Sequence, residues 1–341
     1  MKCIIPSFVE IFSMENLYMA WKEFQKGKGH KKDVADFSMK LVDNLLLLQK
    51  EILLGEYKHG NYFYFKVNDP KPRDIHRASV RDRIVHHALY NALYSYFDQK
   101  FIFDLYSCRN GKGTHRAIAR FESFSRKESK NYKRTIWILK CDIKKCFASV
   151  DHNILKSILK RYIKDEQLLR VIESIIDSFS TYSTISMKKG IPLGNLTSQL
   201  FINIYLHEFD LFVKHKIKAR KYIRYADDFI IFSNDKNELW SNISVIRNFL
   251  KTRLNFELHP DKIFIKKLFS GIDFLGWTHF PKHRVLKTTT KRRMLKNLST
   301  KTKDYYKKSL DSYMGMLKHG NIHKLKEVVL LKYGKGTNFK D

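Results

Sequence analysis

Three aspartates carry the most distinctive chemistry in this 341-residue sequence. Asp227 and Asp228 stand side by side in Tyr225-Ala226-Asp227-Asp228, at the turn of an apolar hairpin, YIRYADDFIIF. Asp142 closes another apolar run, TIWILKC. Carboxylates at strand ends, fixed on a rigid sheet, suit a phosphoryl transfer assisted by two divalent cations, which clamp the attacking and leaving oxygens. Mg2+ prefers carboxylate and phosphate oxygens. The hairpin also breaks a local rule: Asn-Gly is the preferred two-residue turn, Ala-Asp a poor one, and adjacent acids repel. Such a breach in an otherwise regular element points to function. The plain alternatives are a solvated acidic turn for the pair and a strand-terminal cap for Asp142. In a chain with 18 Tyr the tetrapeptide alone is moderate evidence. The apolar strands beside it weaken the surface-turn reading, and the pair in turn raises the weight of Asp142.

The elements that must position these acids are legible in outline. Residues 135–143 read as a mostly buried strand, and Lys221–Tyr225 and Asp228–Ser233 as two strands joined by a tight turn. Asp151–Tyr162 reads as a helix with Asp151 as N-cap and Ile154, Leu155, Ile158, Leu159 and Tyr162 on its face. Residues 196–210 form another predicted helix. Upstream, the first 60 residues read as helical, with Leu41, Leu45, Leu48 and Ile52 on one face. Tyr62–Val67 has strand residues followed by turn chemistry at Asn68-Asp69-Pro70. A basic helix spans Ser79–Tyr96 with Ile84, Ala88 and Leu89 as its stripe, and 107–115 is a polar, glycine-containing loop. Residues 287–341 are basic and helical. Strands and helices mix without regular alternation, which predicts an α+β fold.

Composition sets the partner class. Lys and Arg number 65 against 34 Asp and Glu, a net charge of +31. That excess repels itself unless a polyanion neutralises it, and nucleic acid does so through its phosphates. The 43% hydrophobic content is ample for a core and excludes global disorder. The cysteines Cys3, Cys108, Cys141 and Cys146 have neither zinc spacing nor the density of a disulfide framework, which fits a reducing cytosol. The start, MKCIIPSFVEIF, lacks a signal-peptide pattern, and no apolar run reaches transmembrane length, so no membrane partner is expected.

Beyond Asp142 and the YADD tetrapeptide, several ordered segments resemble the motifs of reverse transcriptases. Cys141–Phe147 resembles the first palm motif, Gly190–Gln199 the segment lining the nascent base pair, Leu258–Lys262 the following lysine motif, and Phe274-Leu275-Gly276-Trp277 the primer grip. Lys71-Pro72-Arg73, Val80–Arg83 and Cys108–Gly113 resemble fingers motifs of the bacterial, group II intron-like branch. The matches run in order over about residues 70–280. The resemblance implies a right-hand polymerase fold: fingers, a palm whose antiparallel sheet carries the carboxylates, and a helical thumb. Its divisions would be 1–70, an N-terminal helical region and start of the fingers; 71–285, the fingers and palm core; and 286–341, a basic helical thumb.

The resemblance also implies roles. Asp142, Asp227 and Asp228, with Ile143, would carry two Mg2+ ions, for which Mn2+ can substitute. Phe147 would be the steric gate against a ribose 2′-OH; its plain alternative is core packing. Lys71, Arg73 and Arg81 would meet the dNTP triphosphate, though each alone reads more simply as a solvated charge. Gly194 and Gln199 would line the nucleotide site, and Lys262 would protonate the leaving pyrophosphate. Phe274, Leu275, Gly276 and Trp277 would contact nucleic acid. So would Lys291, Arg292 and Arg293, in a basic segment where Val285, Leu286, Met294, Leu295 and Leu298 could seat a helix. The plain alternative there is a solvated basic tail.

Two departures narrow the resemblance. Leu193 stands where most reverse transcriptases have Gln, and Gln199 where they have Pro. This pattern resembles the enzymes of diversity-generating retroelements, as does Ser312–Asn321 their thumb. That family copies a template-repeat RNA into cDNA, misincorporates opposite template adenines, and works with a small basic accessory variability protein, in the cytoplasm of bacteria or from phage genes. An acid often follows the gate position; here it is Ala148, with Asp151 three residues later. The alternatives are a retron, intron or phage-defence reverse transcriptase, or a non-catalytic RNA-binding protein of the same fold. An intron enzyme would add maturase and DNA-binding regions, for which the residues after Trp277 are too few.

Overall fold

The computed structural model describes residues 4–68, 72–181, 188–300, 303–321 and 323–333. Of the residues singled out above, Cys3, Asp69, Pro70 and Lys71 lie outside them. The chain opens with helices α1 (Phe8–Ile11), α2 (Met14–Gln25), α3 (Lys32–Met39) and α4 (Leu41–Leu53). Leu45, Leu48 and Ile52 form the buried stripe of α4, as their spacing predicts. A two-stranded ribbon follows, β1 (Phe63–Val67) and β2 (Arg73–Arg77), paired antiparallel with Phe65 opposite Ile75. Helix α5 (Val80–Lys100) starts at Ser79, whose hydroxyl accepts from the Asp82 N–H. Then come α6 (Thr114–Glu128), β3 (Trp137–Asp142), α7 (His152–Tyr162), α8 (Glu166–Asp177) and α9 (Leu196–His215). Asp151 caps α7 by accepting from the Asn153 and Ile154 N–H groups.

Strands β4 (Tyr222–Tyr225) and β5 (Asp228–Ser233) form the expected hairpin, and α10 (Lys236–Leu254) follows. After β6 (Phe264–Lys267) come three short strands, β7 (Ile272–Phe274), β8 (Trp277–His279) and β9 (Arg284–Leu286). The described chain closes with α11 (Thr288–Thr300), α12 (Lys303–Leu317) and α13 (His323–Tyr333). The central sheet has the order β4-β5-β3-β6, with β3 and β6 antiparallel and Leu139 opposite Ile265. A second sheet has the order β7-β8-β9.

The chain divides into two compact units that do not follow chain order. The first takes residues 1–113, 141–229 and 241–263. Its core stacks α2 on α5 and α5 on α9. Helix α9 is apolar on nearly every side, and Phe201, Tyr205, Leu206 and Phe209 are all buried. The second unit takes 114–140, 230–240 and 264–341. Its core gathers Ile118, Trp277, Leu286, Met294, Leu298, Met314 and Leu317. Among the described residues no helix is long and apolar enough to cross a membrane.

Candidate active site

Asp142 ends β3, whose Ile138, Leu139 and Cys141 are buried. The main chain after it is stitched to the His-Pro-Asp-Lys segment. The His259 N–H donates to the Asp142 carbonyl at 2.8 Å, the Lys144 N–H donates to Glu257 at 2.9 Å, and Ile143 bridges Leu258. Pro260–Lys262 forms a 3-10 turn in which His259 Nδ1 accepts from the Asp261 N–H. This turn delivers Lys262 Nζ to Asp142 Oδ1 at 2.8 Å. The ammonium therefore serves as the counter-charge of the first carboxylate.

The hairpin turn meets the same segment. Tyr222, Ile223, Phe229 and Ile230 are buried on either side of it. The Ile143 N–H donates to the Asp227 carbonyl at 3.2 Å, which joins the turn to the chain just after Asp142. Asp227 is pushed up to about 6, first by burial and then by the charges of Asp142 and Asp228; its own main-chain N–H and Lys262 oppose the rise. The buried Cys146 thiol is held well above its usual range by burial and by the charges of Asp227 and Asp142. Asp142, Asp227, Asp228 and Lys262 thus share one electrostatic neighbourhood. Among the described residues, no group of three His, Cys, Asp or Glu side chains is arranged to hold a metal ion.

The segment between Gly190 and α9 is tied to the Phe147–Val150 stretch on one side and to β2 on the other. The Gly190 and Ile191 N–H groups donate to the Val150 and Phe147 carbonyls, at 2.8 and 2.9 Å. Phe147 opens a 3-10 turn and its ring is half-buried. On the other side, the His76 N–H donates to the Leu193 carbonyl at 2.9 Å. The Asn195 amide accepts from the Ala78 N–H and donates to the His76 carbonyl. Gly194 has φ +109°, and a Cβ there would stand 2.8 Å from Ile75 Cγ2. Only glycine fits that approach. Leu193 is therefore anchored to β2, the strand that carries the exposed Arg73. Gln199 is exposed on the first turn of α9. Arg81 is engaged elsewhere: it pairs with Glu51 and Asp82, donates to the Lys58 carbonyl and lies over the Tyr57 ring.

In the second unit, Phe274 and Trp277 flank a two-residue turn, Leu275-Gly276, with φ +48° and +86°. Both central residues are left-handed, the geometry that matches strand twist in tight hairpins. The aromatic rings are buried: Phe274 stacks on Phe121, and Trp277 joins the core with Met294 and Leu298. The turn residues Leu275 and Gly276 are half-buried, and Leu275 packs against the same core. On α11, Lys291 and Arg292 are exposed and Arg293 is half-buried. Val285 and Leu286 belong to a strand, not to the helix they were expected to help seat. Leu286, Met294 and Leu298 instead pack with Leu310, Met314 and Leu317 of α12.

Sequence reading missed four residues beside the hairpin: Ser107, Asn203, Asp210 and Arg224. The available signal was one arginine inside an apolar strand and one aspartate inside an apolar helix.

Comparison with known proteins agrees with this geometry. The family model described as "Reverse transcriptase (RNA-dependent DNA polymerase)" matches residues 66–279. Protein YkfC of Escherichia coli K12 is 25% identical over 299 residues, covering 76% of each chain. The group II intron-encoded protein LtrA of Lactococcus lactis subsp. cremoris is 22% identical over 333 residues, covering 76% of this chain and 54% of its own. The putative COX1/OXI3 intron 2 protein of Saccharomyces cerevisiae is 23% identical, and the match spans 30% of its length. In fold, the chain is similar to an apo telomerase of Candida tropicalis truncated from its C-terminal domain. The TM-score is 0.50 at 12% identity, covering 72% of this chain and 60% of that one.

Proposed function

The chain belongs to the reverse transcriptase family, with relatives of the group II intron-encoded type, and from that premise we propose that it copies a template-repeat RNA into cDNA with frequent errors at template adenines. The observation that carries the polymerase chemistry is the shared neighbourhood of Asp142, Asp227 and Asp228, in which Asp227 is pushed up to about 6. Three carboxylates with one ammonium beside them fit hard divalent cations. Asp142, Asp227 and Asp228, with Ile143 offering its main-chain carbonyl, would hold two Mg2+ ions, for which Mn2+ can substitute. Held by these residues, such ions would supply Lewis-acid stabilisation of the attacking and leaving oxygens of phosphoryl transfer.

The remaining roles fall to the chain's own side chains. Lys262 balances the charge of Asp142 and supplies a proton near the departing pyrophosphate. Arg73 meets the triphosphate with an exposed guanidinium. The Phe147 ring excludes a 2′-OH. Gly194 and Gln199 border the incoming nucleotide, and the Leu275-Gly276 turn supports the primer. Lys291, Arg292 and Arg293 hold phosphates of the template RNA and the growing cDNA. On this reading residues 1–70 begin the fingers, 71–285 complete fingers and palm, and 286–341 form the thumb.

Leu193 supports the error-prone part of the proposal. An apolar side chain in place of a hydrogen-bonding Gln removes a polar hold near the base pair, and discrimination falls when such contacts are missing. A small basic accessory protein is the partner this reading implies. The intron-type relatives favour a second reading, cDNA synthesis with no bias at adenine. Primer extension with Mg2+, first on poly(rA)/oligo(dT) and then on a mixed-sequence RNA, tests all of this. Excess substitution at template adenines, reduced in Leu193→Gln, is expected. Even error rates favour the second reading, and total inactivity leaves an RNA-binding protein of the same fold.

A further inference from the structure

Two opposite charges are completely buried next to the catalytic hairpin. Arg224 is the one charged residue of β4, Asp210 lies in apolar α9, and both are fully buried. Buried charges are costly unless paired and hydrogen-bonded. Here Arg224 Nε and Nη2 donate to the two Asp210 oxygens at 2.7 and 2.6 Å, a bidentate pair. The Tyr222 hydroxyl donates to Asp210 Oδ1 at 2.8 Å. These bonds would satisfy a purely structural ion pair.

The network continues past that point. Arg224 Nη1 reaches Asn203 Oδ1 and the Ala226 carbonyl, each at 3.2 Å. Asn203 Nδ2 donates to the Ser107 carbonyl at 3.1 Å. The Ser107 hydroxyl accepts from the Ala226 N–H at 2.9 Å, closing a ring of four residues. The backbone adds a second hold: the Arg224 N–H donates to Asp104, and the Tyr106 N–H donates to Arg224, each at 3.0 Å. The Cys108–Gly113 loop locks this segment. Arg109 grips Asp98 Oδ1 and the Ile102 carbonyl, and the Gly113 N–H returns to Tyr106.

The ring converges on Ala226, which has φ +54°. A residue with a Cβ is disfavoured in the left-handed region, where the Cβ crowds the following carbonyl oxygen. Such strain persists only where the surroundings over-determine it. Ala226 has both its N–H and its carbonyl held by side chains from the core, and the next residue is Asp227. We propose that Arg224, Asp210, Asn203 and Ser107 are positioning residues that clamp Ala226 in its left-handed conformation and thereby aim Asp227. This role rests on the polymerase reading and adds the means by which its acid is aimed.

Ser107→Ala is the mildest cut in the ring, because it leaves the buried ion pair intact. Its kcat in primer extension should fall on the order of tenfold, with the dNTP KM little changed. Ala226→Gly in the same background should restore kcat, since glycine takes positive φ without strain. A merely structural role predicts a lower melting temperature and no rescue by glycine. Hydrogen exchange of the metal-free protein gives a readout independent of catalysis: amides 226–229 should exchange faster in Ser107→Ala, and those of 230–232 should not. Parent-like exchange in the turn, or a kcat loss that glycine fails to restore, overturns the inference. If the parent protein extends no primer, the polymerase reading fails, and the exchange result alone decides the positioning role.

Discussion

Asp227 holds its proton to a pH at which an ordinary aspartate has long released it, and this has two measurable consequences. Its raised value, about 6, means that between roughly pH 4 and 6 the folded state binds more protons than the unfolded one. Its contribution to stability is therefore present at the acid end and is lost as pH rises through that window. Urea midpoints of the metal-free parent and of Asp227→Asn, compared from pH 4 to 7, should show the parent losing ground to the variant across the window. Protons would also compete with a divalent cation for the same carboxylate. Mn2+ affinity, read by water-proton relaxation, should weaken about tenfold per pH unit below about 6. Asp142, Asp227 and Asp228 were legible because acids flanked by apolar strands have few structural uses. Arg224 and Asp210 were not, because what matters is their contact across 14 positions, and the sequence shows only two charges in apolar surroundings. Arg81 illustrates the converse: Asp82 is its neighbour in sequence, but its Glu51 partner lies 30 positions away.

Elements were legible in proportion to their length and periodicity. The stripe of α4, the Asp151 cap of α7 and the β4–β5 hairpin all lie where pattern places them. Helix α8 was within reach as well, with Leu168, Val171, Ile172, Ile175 and Ile176 on one face behind an Asp165 cap. Strands β7, β8 and β9 have three residues each, too few to display a period of two. Hence Val285 and Leu286 were read only as apolar residues that could seat a helix, and the Phe274 and Trp277 rings looked available to a ligand when they are core. Two glycines test how tightly such elements approach. Gly194→Ala places a Cβ against Ile75 at positive φ, and should cost about 1–3 kcal/mol by urea denaturation. Gly320→Ala drives a Cβ into the Trp277 ring, and should cost a similar amount, about 1–3 kcal/mol. An unchanged midpoint in either variant would sink the close approach described for it.

At the scale of the whole molecule, the charge of +31 was the plainest signal and the least specific. It names a polyanion without saying which residues meet it. Reversing Lys291, Arg292, Arg293 and Lys296 should weaken primer–template binding and flatten its salt dependence, by about one unit of log–log slope for each phosphate no longer neutralised. An unchanged slope in a filter-binding titration defeats the thumb reading. The interleaved units were beyond sequence reading, because nothing local tells residues 114–140 to pack with 264–341. The chain passes from one unit to the other between Lys140 and Cys141, within β3, and again between Phe229 and Ile230, within β5. During synthesis, then, the first unit lacks its last piece until residue 263 has left the ribosome. That piece brings Lys262. The acids are translated well before their counter-charge, and a nascent chain this cationic must reach its fold amid cellular RNA.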